Sequence, residues 1–407
     1  MEYPATGGFR PSINVVRLEG SPLTPIVREM QRLRATGESV VDLTGAGGAE
    51  PPSRQDLDAL TAALKRLDSA DAAVEGTLTL RAAVARHLSL RSGGRPVNAD
   101  HVVVAGSAHQ ALFAACFALF GPGERVLVPT PSWWGVGAAV RLARAMPDAV
   151  PGDEEWSLKV GRGELDRAAD LRTRGLVLSS PVEATGAVYT AAELATILEW
   201  ARERDVRVLA DESARMVHFG SGPAPSVLDL PDDLLHDTVV VWTTGAVEAG
   251  LGVATVVAST DLARIIGRLQ AVAAGGAPPA LQAVAAELLA DERFEEQEAR
   301  RVALARKRRD LVVQRFRRHL PGVEFVEPLG GYGLFFRVDG FFGDEVWSGV
   351  TFCERLLAET GVALAPGEAY GDPRWARLAY DRPERTLERA IERIAAFVSG
   401  ADRIEKE

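Results

Sequence analysis

Five short apolar runs dominate the middle of this chain: His101-Val-Val-Val-Ala, Arg125-Val-Leu-Val-Pro, Gly175-Leu-Val-Leu-Ser, Arg207-Val-Leu-Ala-Asp and Asp237-Thr-Val-Val-Val-Trp. None alternates apolar with polar residues, so each predicts a strand buried on both faces. Helical patterns lie between them, among them Ala191 to Arg204, where Thr190 and Glu193 supply a capping box. Strands of this kind alternating with helices build an α/β unit with a mostly parallel sheet covered on both sides. Such sheets bind ligands at the carboxyl ends of their strands. The spacing therefore sends Ser107, the Pro129–Trp134 loop, Ser179–Gly186, Asp211 and Thr243–Gly245 to one pocket.

The flanks read differently. Residues 1–22 predict an extended arm, and Val40 to Leu43 a short strand running into a Gly-rich turn. Leu57 to Leu67 and Leu78 to Leu90 have helical spacing. After the loop at 273–279 come a charged helix over Asp291 to His319, strands near 323–326, 333–338 and 377–380, and a last helix from Glu384 to Ser399. The predicted organisation is an arm and part of a small domain over 1–50, a large domain over 51–280, and the rest of a smaller α+β domain over 281–407. A length of 407 residues, with 47% hydrophobic and 25% charged residues, suits two such globular units. No apolar run is long enough to span a membrane, and the N-terminus has no signal pattern. Two cysteines build neither a disulfide framework nor a cysteine metal cluster, so a reducing cytoplasm is the expected compartment. A net charge of −10 without a basic stripe argues against a nucleic acid partner.

Several stretches, in order, resemble the fold-type-I aminotransferases of class I/II, which use pyridoxal phosphate (PLP). Gly76-Thr-Leu-Thr-Leu-Arg-Ala-Ala-Val-Ala is similar to that family's entry helix. Val104-Ala-Gly-Ser-Ala-His-Gln-Ala-Leu resembles its phosphate turn, and Gly121-Pro-Gly-Glu-Arg-Val-Leu-Val-Pro-Thr-Pro-Ser-Trp its G-P-G-D-x-V-L-V-P-x-P-x-Y segment. Ser180-Pro-Val-Glu-Ala-Thr-Gly-Ala-Val-Tyr resembles S-P-N-N-P-T-G-x-V-Y, and Ala210-Asp-Glu-Ser-Ala the strand end D-E-x-Y. The resemblance covers roughly residues 22–398. It implies a seven-stranded, mostly parallel sheet covered by helices, a smaller α+β domain from both chain ends, and a homodimer with sites near its interface. It also implies roles: Asp211 at the cofactor's ring nitrogen, Trp133 stacked on the ring, Ser107 in the phosphate turn and Arg377 on the substrate carboxylate.

The departures from the family pattern cluster at the same site. Where the family carries its Schiff-base lysine, this chain aligns Thr244. Gly252 stands for the phosphate-clamping arginine, Glu183 for the asparagine at the ring oxygen, Ala214 for the supporting tyrosine, and Asp71 lies near the position of the tyrosine that reaches the partner's phosphate. Of 46 basic residues only four are lysines, Lys65, Lys159, Lys307 and Lys406. A threonine hydroxyl neither forms imines nor serves as a good base. Glu183 and Asp211 raise each other's apparent pKa and form an acid/base pair. An amine over Trp133 and a carboxylate on Arg377 complete a small amino-acid-like substrate, with Thr244 and Ser107 as further binding groups.

These substitutions predict a PLP-independent enzyme on an aminotransferase scaffold, with no cofactor and no metal. Glu183 and Asp211 would be its catalytic residues, acting by cyclisation, dehydration, condensation or imine hydrolysis in a specialised biosynthetic pathway. Two alternatives stand beside it: a non-catalytic subunit supporting a lysine-bearing partner, and an enzyme that holds PLP or pyridoxamine phosphate (PMP) non-covalently.

Overall fold

The computed structural model describes residues 12, 15, 18, 20–45, 54–66, 73–91, 96–235, 237–244 and 253–404. In chain order the first elements are α1 (Thr24–Ala35), β1 (Val41–Leu43), α2 (Arg54–Arg66), α3 (Leu78–Arg91), β2 (Val102–Ala105) and α4 (Ala108–Leu119). Then follow β3 (Arg125–Thr130), α5 (Trp134–Leu142), β4 (Met146–Pro151), α6 (Arg162–Ala168), β5 (Thr173–Ser179), α7 (Ala191–Glu203), β6 (Arg207–Asp211), β7 (Thr238–Thr243) and β8 (Ala254–Val257). The C-terminal third holds α8 (Thr260–Ala273), α9 (Pro279–Ala290), α10 (Phe294–His319), β9 (Phe325–Val326), β10 (Gly333–Arg337), α11 (Gly349–Thr360), β11 (Val362–Pro366), β12 (Trp375–Ala379) and α12 (Glu384–Ile404).

Seven strands form one sheet in the order β2-β8-β7-β6-β5-β3-β4. β3 to β7 run parallel, and β8 is antiparallel to both β2 and β7. Successive residues of one strand enter two separate cores. Leu127, Leu176, Leu178, Val208 and Val240 pack on one side, with α7 and α9. Val126, Val128, Val177, Leu209 and Val239 pack on the other, with α4 and α5. Burial on both faces is the reason for the unbroken Val/Leu runs. The capping box of α7 is present: the Thr190 hydroxyl accepts from the Glu193 amide at 3.2 Å, and the Glu193 carboxylate accepts from the Thr190 amide at 2.8 Å.

Five strands form a second sheet in the order β1-β11-β12-β10-β9. One face, with Leu334, Phe336, Leu364, Ala376 and Leu378, packs against α1, α10, α11 and α12. The other face carries Phe335, Ala365 and Trp375, which meet Ala184 and Leu158 from the loops of the large sheet. Arg377 is on this second face by strand alternation and sits on the central strand, opposite Phe335 and Ala365. The two sheets therefore meet where the carboxyl ends of the parallel strands look toward β12.

Candidate active site

Asp211 is the last residue of β6, paired in register with Ser179 of β5. Its carboxylate accepts from the Ser213 amide at 3.0 Å. Burial pushes its pKa up, bonding from Ser213 works against that, and the nearby His109 imidazole pulls it down. Glu212, the next residue, points the other way. It is 2% exposed and accepts from the Ser226 hydroxyl at 2.6 Å and the Val227 amide at 2.8 Å. Desolvation raises its pKa to about 7 despite the Arg215 guanidinium beside it. Glu212 thus belongs to the wall behind the cleft, where Arg215 also pairs with Asp229.

Ser107 caps α4, its hydroxyl accepting from the Gln110 amide at 3.1 Å. Gly106 donates to the Gln110 side chain, which is itself held by Gln270. Among the described residues nothing accepts from the amides of Ser107, Ala108 and His109, so the positive end of α4 opens into the cleft. Two residues into this region, the His109 imidazole lies flat on Trp133, with ring centroids 4.0 Å apart and planes 9° apart. Burial lowers the His109 pKa, and Asp211 opposes the shift.

Glu183 sits in a tight loop after β5. Val182 donates to the Ala187 carbonyl, Gly186 donates back to the Val182 carbonyl, and Gly186 has φ +69° with the Gly330 carbonyl against it. The Glu183 side chain is solvent-exposed, yet burial in the surrounding protein is the main cause that raises its pKa. Arg377 lowers this pKa and Asp211 raises it, so Glu183 stands between the two.

Arg377 is 5% exposed, so it is part of the cleft wall and not of its rim. Its Nε donates to the Glu183 carbonyl at 3.2 Å. The Tyr370 hydroxyl bonds to it, and its guanidinium carbon lies 5.8 Å from the Tyr370 ring centroid. A Cβ on Gly333 would fall 2.3 Å from Nε, and one on Gly45 would fall 2.6 Å from Nη1. Two glycines therefore keep the channel for this side chain open.

Thr243 and Thr244 end β7. The Thr243 hydroxyl donates to the Ser213 carbonyl at 2.7 Å. The Thr244 hydroxyl both donates to the Val253 carbonyl and accepts from the Val253 amide, each at 3.1 Å, and Thr244 is 2% exposed. Gly245, Glu248, Gly252 and Asp71 lie outside the described residues. Three lysines are placed: Lys159 pairs with Glu193, Lys307 pairs with Glu384, and Lys65 is exposed on α2. Lys406 is outside the described residues.

Contacts and electrostatic coupling thus link Trp133 to His109, His109 to Asp211, Asp211 to Glu183 and Glu183 to Arg377, and Ser107 starts the helix that carries His109. Residues 54–394 match the family model described as aminotransferase class I and II. The chain belongs to the class I and II aminotransferase family. An aspartate aminotransferase from Streptomyces avermitilis is 29% identical, over 96% of this chain and 97% of that protein. An aspartate/prephenate aminotransferase from Cereibacter sphaeroides is 28% identical, over 96% and 98%. The crystal structure of aspartate aminotransferase from Rhizobium meliloti matches with a TM-score of 0.89 at 25% identity, over 96% of this chain and 99% of that one.

These relatives overturn the expectation of a PLP-independent enzyme without a cofactor. Aminotransferases, the cofactor-using proteins that the motifs resembled, match the chain almost end to end. The physical reason lies in the distribution of a cofactor site. A missing covalent link removes one contact, whereas Asp211, the His109–Trp133 stack, the start of α4 and Arg377 remain as separate groups. Tyr370 carries no sequence signal, since its contact with Arg377 depends on how two distant segments pack.

Proposed function

We propose that this chain is a PLP-dependent enzyme of aminotransferase type that holds PLP or PMP non-covalently and acts on the amino group of a small amino acid. The cleft fits the cofactor in the groups that bind it reversibly. Asp211 is a carboxylate without a cationic partner among the described residues, suited to a protonated ring nitrogen. The His109–Trp133 stack supplies an aromatic wall, and the open amides at the start of α4 with Ser107 suit a phosphate. The covalent anchor is the part that does not fit, because the Thr244 hydroxyl is committed to Val253 on both its donor and acceptor sides.

When bound, the cofactor supplies an electron sink for the bonds at the substrate's α-carbon. Arg377 orients the substrate by its carboxylate, with Tyr370 and the Glu183 carbonyl fixing the guanidinium. His109, whose pKa burial lowers against the pull of Asp211, is placed to accept a proton beside that carboxylate. A homodimer is part of this reading, by analogy with the family.

The observation that carries the proposal is Asp211 held at the end of β6 beside the aromatic stack, in a chain matched from 54 to 394 by this family. The test is a titration of purified protein with PLP and with PMP, followed by absorbance and tryptophan fluorescence. Saturable binding that dialysis reverses, with no colour fixed by borohydride, is the expected result. Absence of saturable binding of either form would overturn the proposal, and colour fixed to any lysine would overturn its non-covalent part.

A further inference from the structure

Two opposite charges face the cleft without pairing to each other. Arg377 is 95% shielded from solvent, yet among the described residues no carboxylate lies within ion-pair distance of its guanidinium. Its hydrogen bonds go to neutral groups, the Glu183 main-chain carbonyl at 3.2 Å and the Tyr370 hydroxyl. The Glu183 carboxylate is within electrostatic reach of Arg377, and among the described residues nothing donates a hydrogen bond to it. The backbone contact at Glu183 ties both residues to one spot, so the separation of the two charges is fixed by one residue's own side chain. Glu183 and Asp381 act on this arginine only at a distance, so a group buried this deeply with no carboxylate in contact calls for an anion from outside the protein. The Glu183 carboxylate is exposed and takes no donor among the described residues, so it is open to a cationic donor brought by a ligand. A group that suits both carries a carboxylate and an ammonium a few bonds apart.

We propose that Glu183 binds the ammonium of an amino acid whose carboxylate sits on Arg377, so that the cleft selects the amino acid over its amine-free counterpart. This rests on the reading that an amino acid enters the cleft, but it does not depend on a cofactor being present. Glu183 is then a specificity-determining residue: it makes the site read the amine before any bond changes.

The test is calorimetric titration of the purified full chain with paired ligands that differ only in the amino group, L-aspartate against succinate and L-phenylalanine against 3-phenylpropionate. In at least one pair the amino acid binds more tightly by roughly ten- to a hundredfold, the range of one charge-assisted hydrogen bond. In Glu183→Gln the preference disappears while the amine-free acid keeps its affinity, and in Arg377→Gln both members of the pair weaken together. The wild-type comparison needs no variant, so a folding defect in either substitution leaves the test intact. Equal binding within every pair, or binding of no amino acid at all, overturns the proposal. So does an equal loss for both members in Glu183→Gln. PLP or PMP titration reads separate contacts: cofactor binding without an amine preference sinks this inference alone, and an amine preference without cofactor binding sinks the cofactor reading alone.

Discussion

Gly333 controls whether Arg377 works, and Gly333→Ala tests that directly. Gly333 lies in β10 opposite Ala379 of β12, and β10 is held on its other edge by β9. β12 holds the backbone at Gly333 itself and β9 holds the strand from Phe335 on, so a new methyl has little room to move. It would fall 2.3 Å from the Arg377 Nε, 2.7 Å from Cζ and 2.8 Å from Nη2, all well inside van der Waals contact. The arginine must leave its channel. Overpacking of this kind costs about 1–3 kcal/mol of stability. Displacement also breaks the charge-assisted bond from Nε to the Glu183 carbonyl, about another 1.5–3 kcal/mol in place. Carboxylate affinity should fall by roughly a hundredfold, since the planar fork loses both position and support. Urea denaturation and succinate titration measure the two effects on one preparation. Gly340→Ala is the matched control, because a Cβ there meets nothing within 4 Å. It should change stability by less than about 0.5 kcal/mol. Unchanged succinate affinity in a folded Gly333→Ala protein would refute the placement of Arg377 in the ligand site.

Three further substitutions probe the rest of the site. Glu212 carries a pKa raised to about 7, so the stability it lends is full below the ordinary carboxylate range near 4.5 and declines as pH rises to about 7. Glu212→Gln does not titrate, so between pH 5 and 8 the wild type should lose up to about 3 kcal/mol relative to this variant in urea denaturation, and parallel pH curves would contradict the assignment. Thr244→Lys gives up two hydrogen bonds to Val253, with a stability cost of about 1–3 kcal/mol, and should gain a PLP absorbance band that borohydride fixes to the introduced lysine. Asp211→Asn should weaken PLP binding by roughly ten- to a hundredfold in the same absorbance titration while leaving succinate affinity intact.

The parts of the fold visible in the sequence were those set by local pattern. Unbroken Val/Leu runs identified β2, β3, β5, β6 and β7 because both faces of each are buried, and Thr190 with Glu193 marked the start of α7 because capping is a contact over three residues. β4 was not apparent: Met-Pro-Asp-Ala-Val-Pro has two prolines and a charge, and it is tolerated only because β4 is an edge strand pairing with β3 alone. β8 is a four-residue strand whose antiparallel insertion between β2 and β7 is a fact of topology rather than of composition. In the site, Asp211 and Ser107 were legible because they end a strand and start a helix. The inward burial of Arg377 was not, since Gly45, Gly333 and Tyr370 reach it from three separate segments.

The same distinction explains why substitutions at a few positions pointed away from a cofactor. A position such as Thr244 is conspicuous in sequence because it replaces a group with unique chemistry. Reversible recognition, in contrast, is spread over contacts that are each ordinary. A carboxylate on Ser213's amide, a helix start, an imidazole on an indole and an arginine threaded between glycines would be unremarkable one at a time. Their energies combine only because β6, α4, α5 and β12 bring them to one cleft. On the proposal above Glu183 is the exception: an acid beside a buried arginine with no carboxylate in contact would let a site for carboxylates distinguish amino acids from other acids.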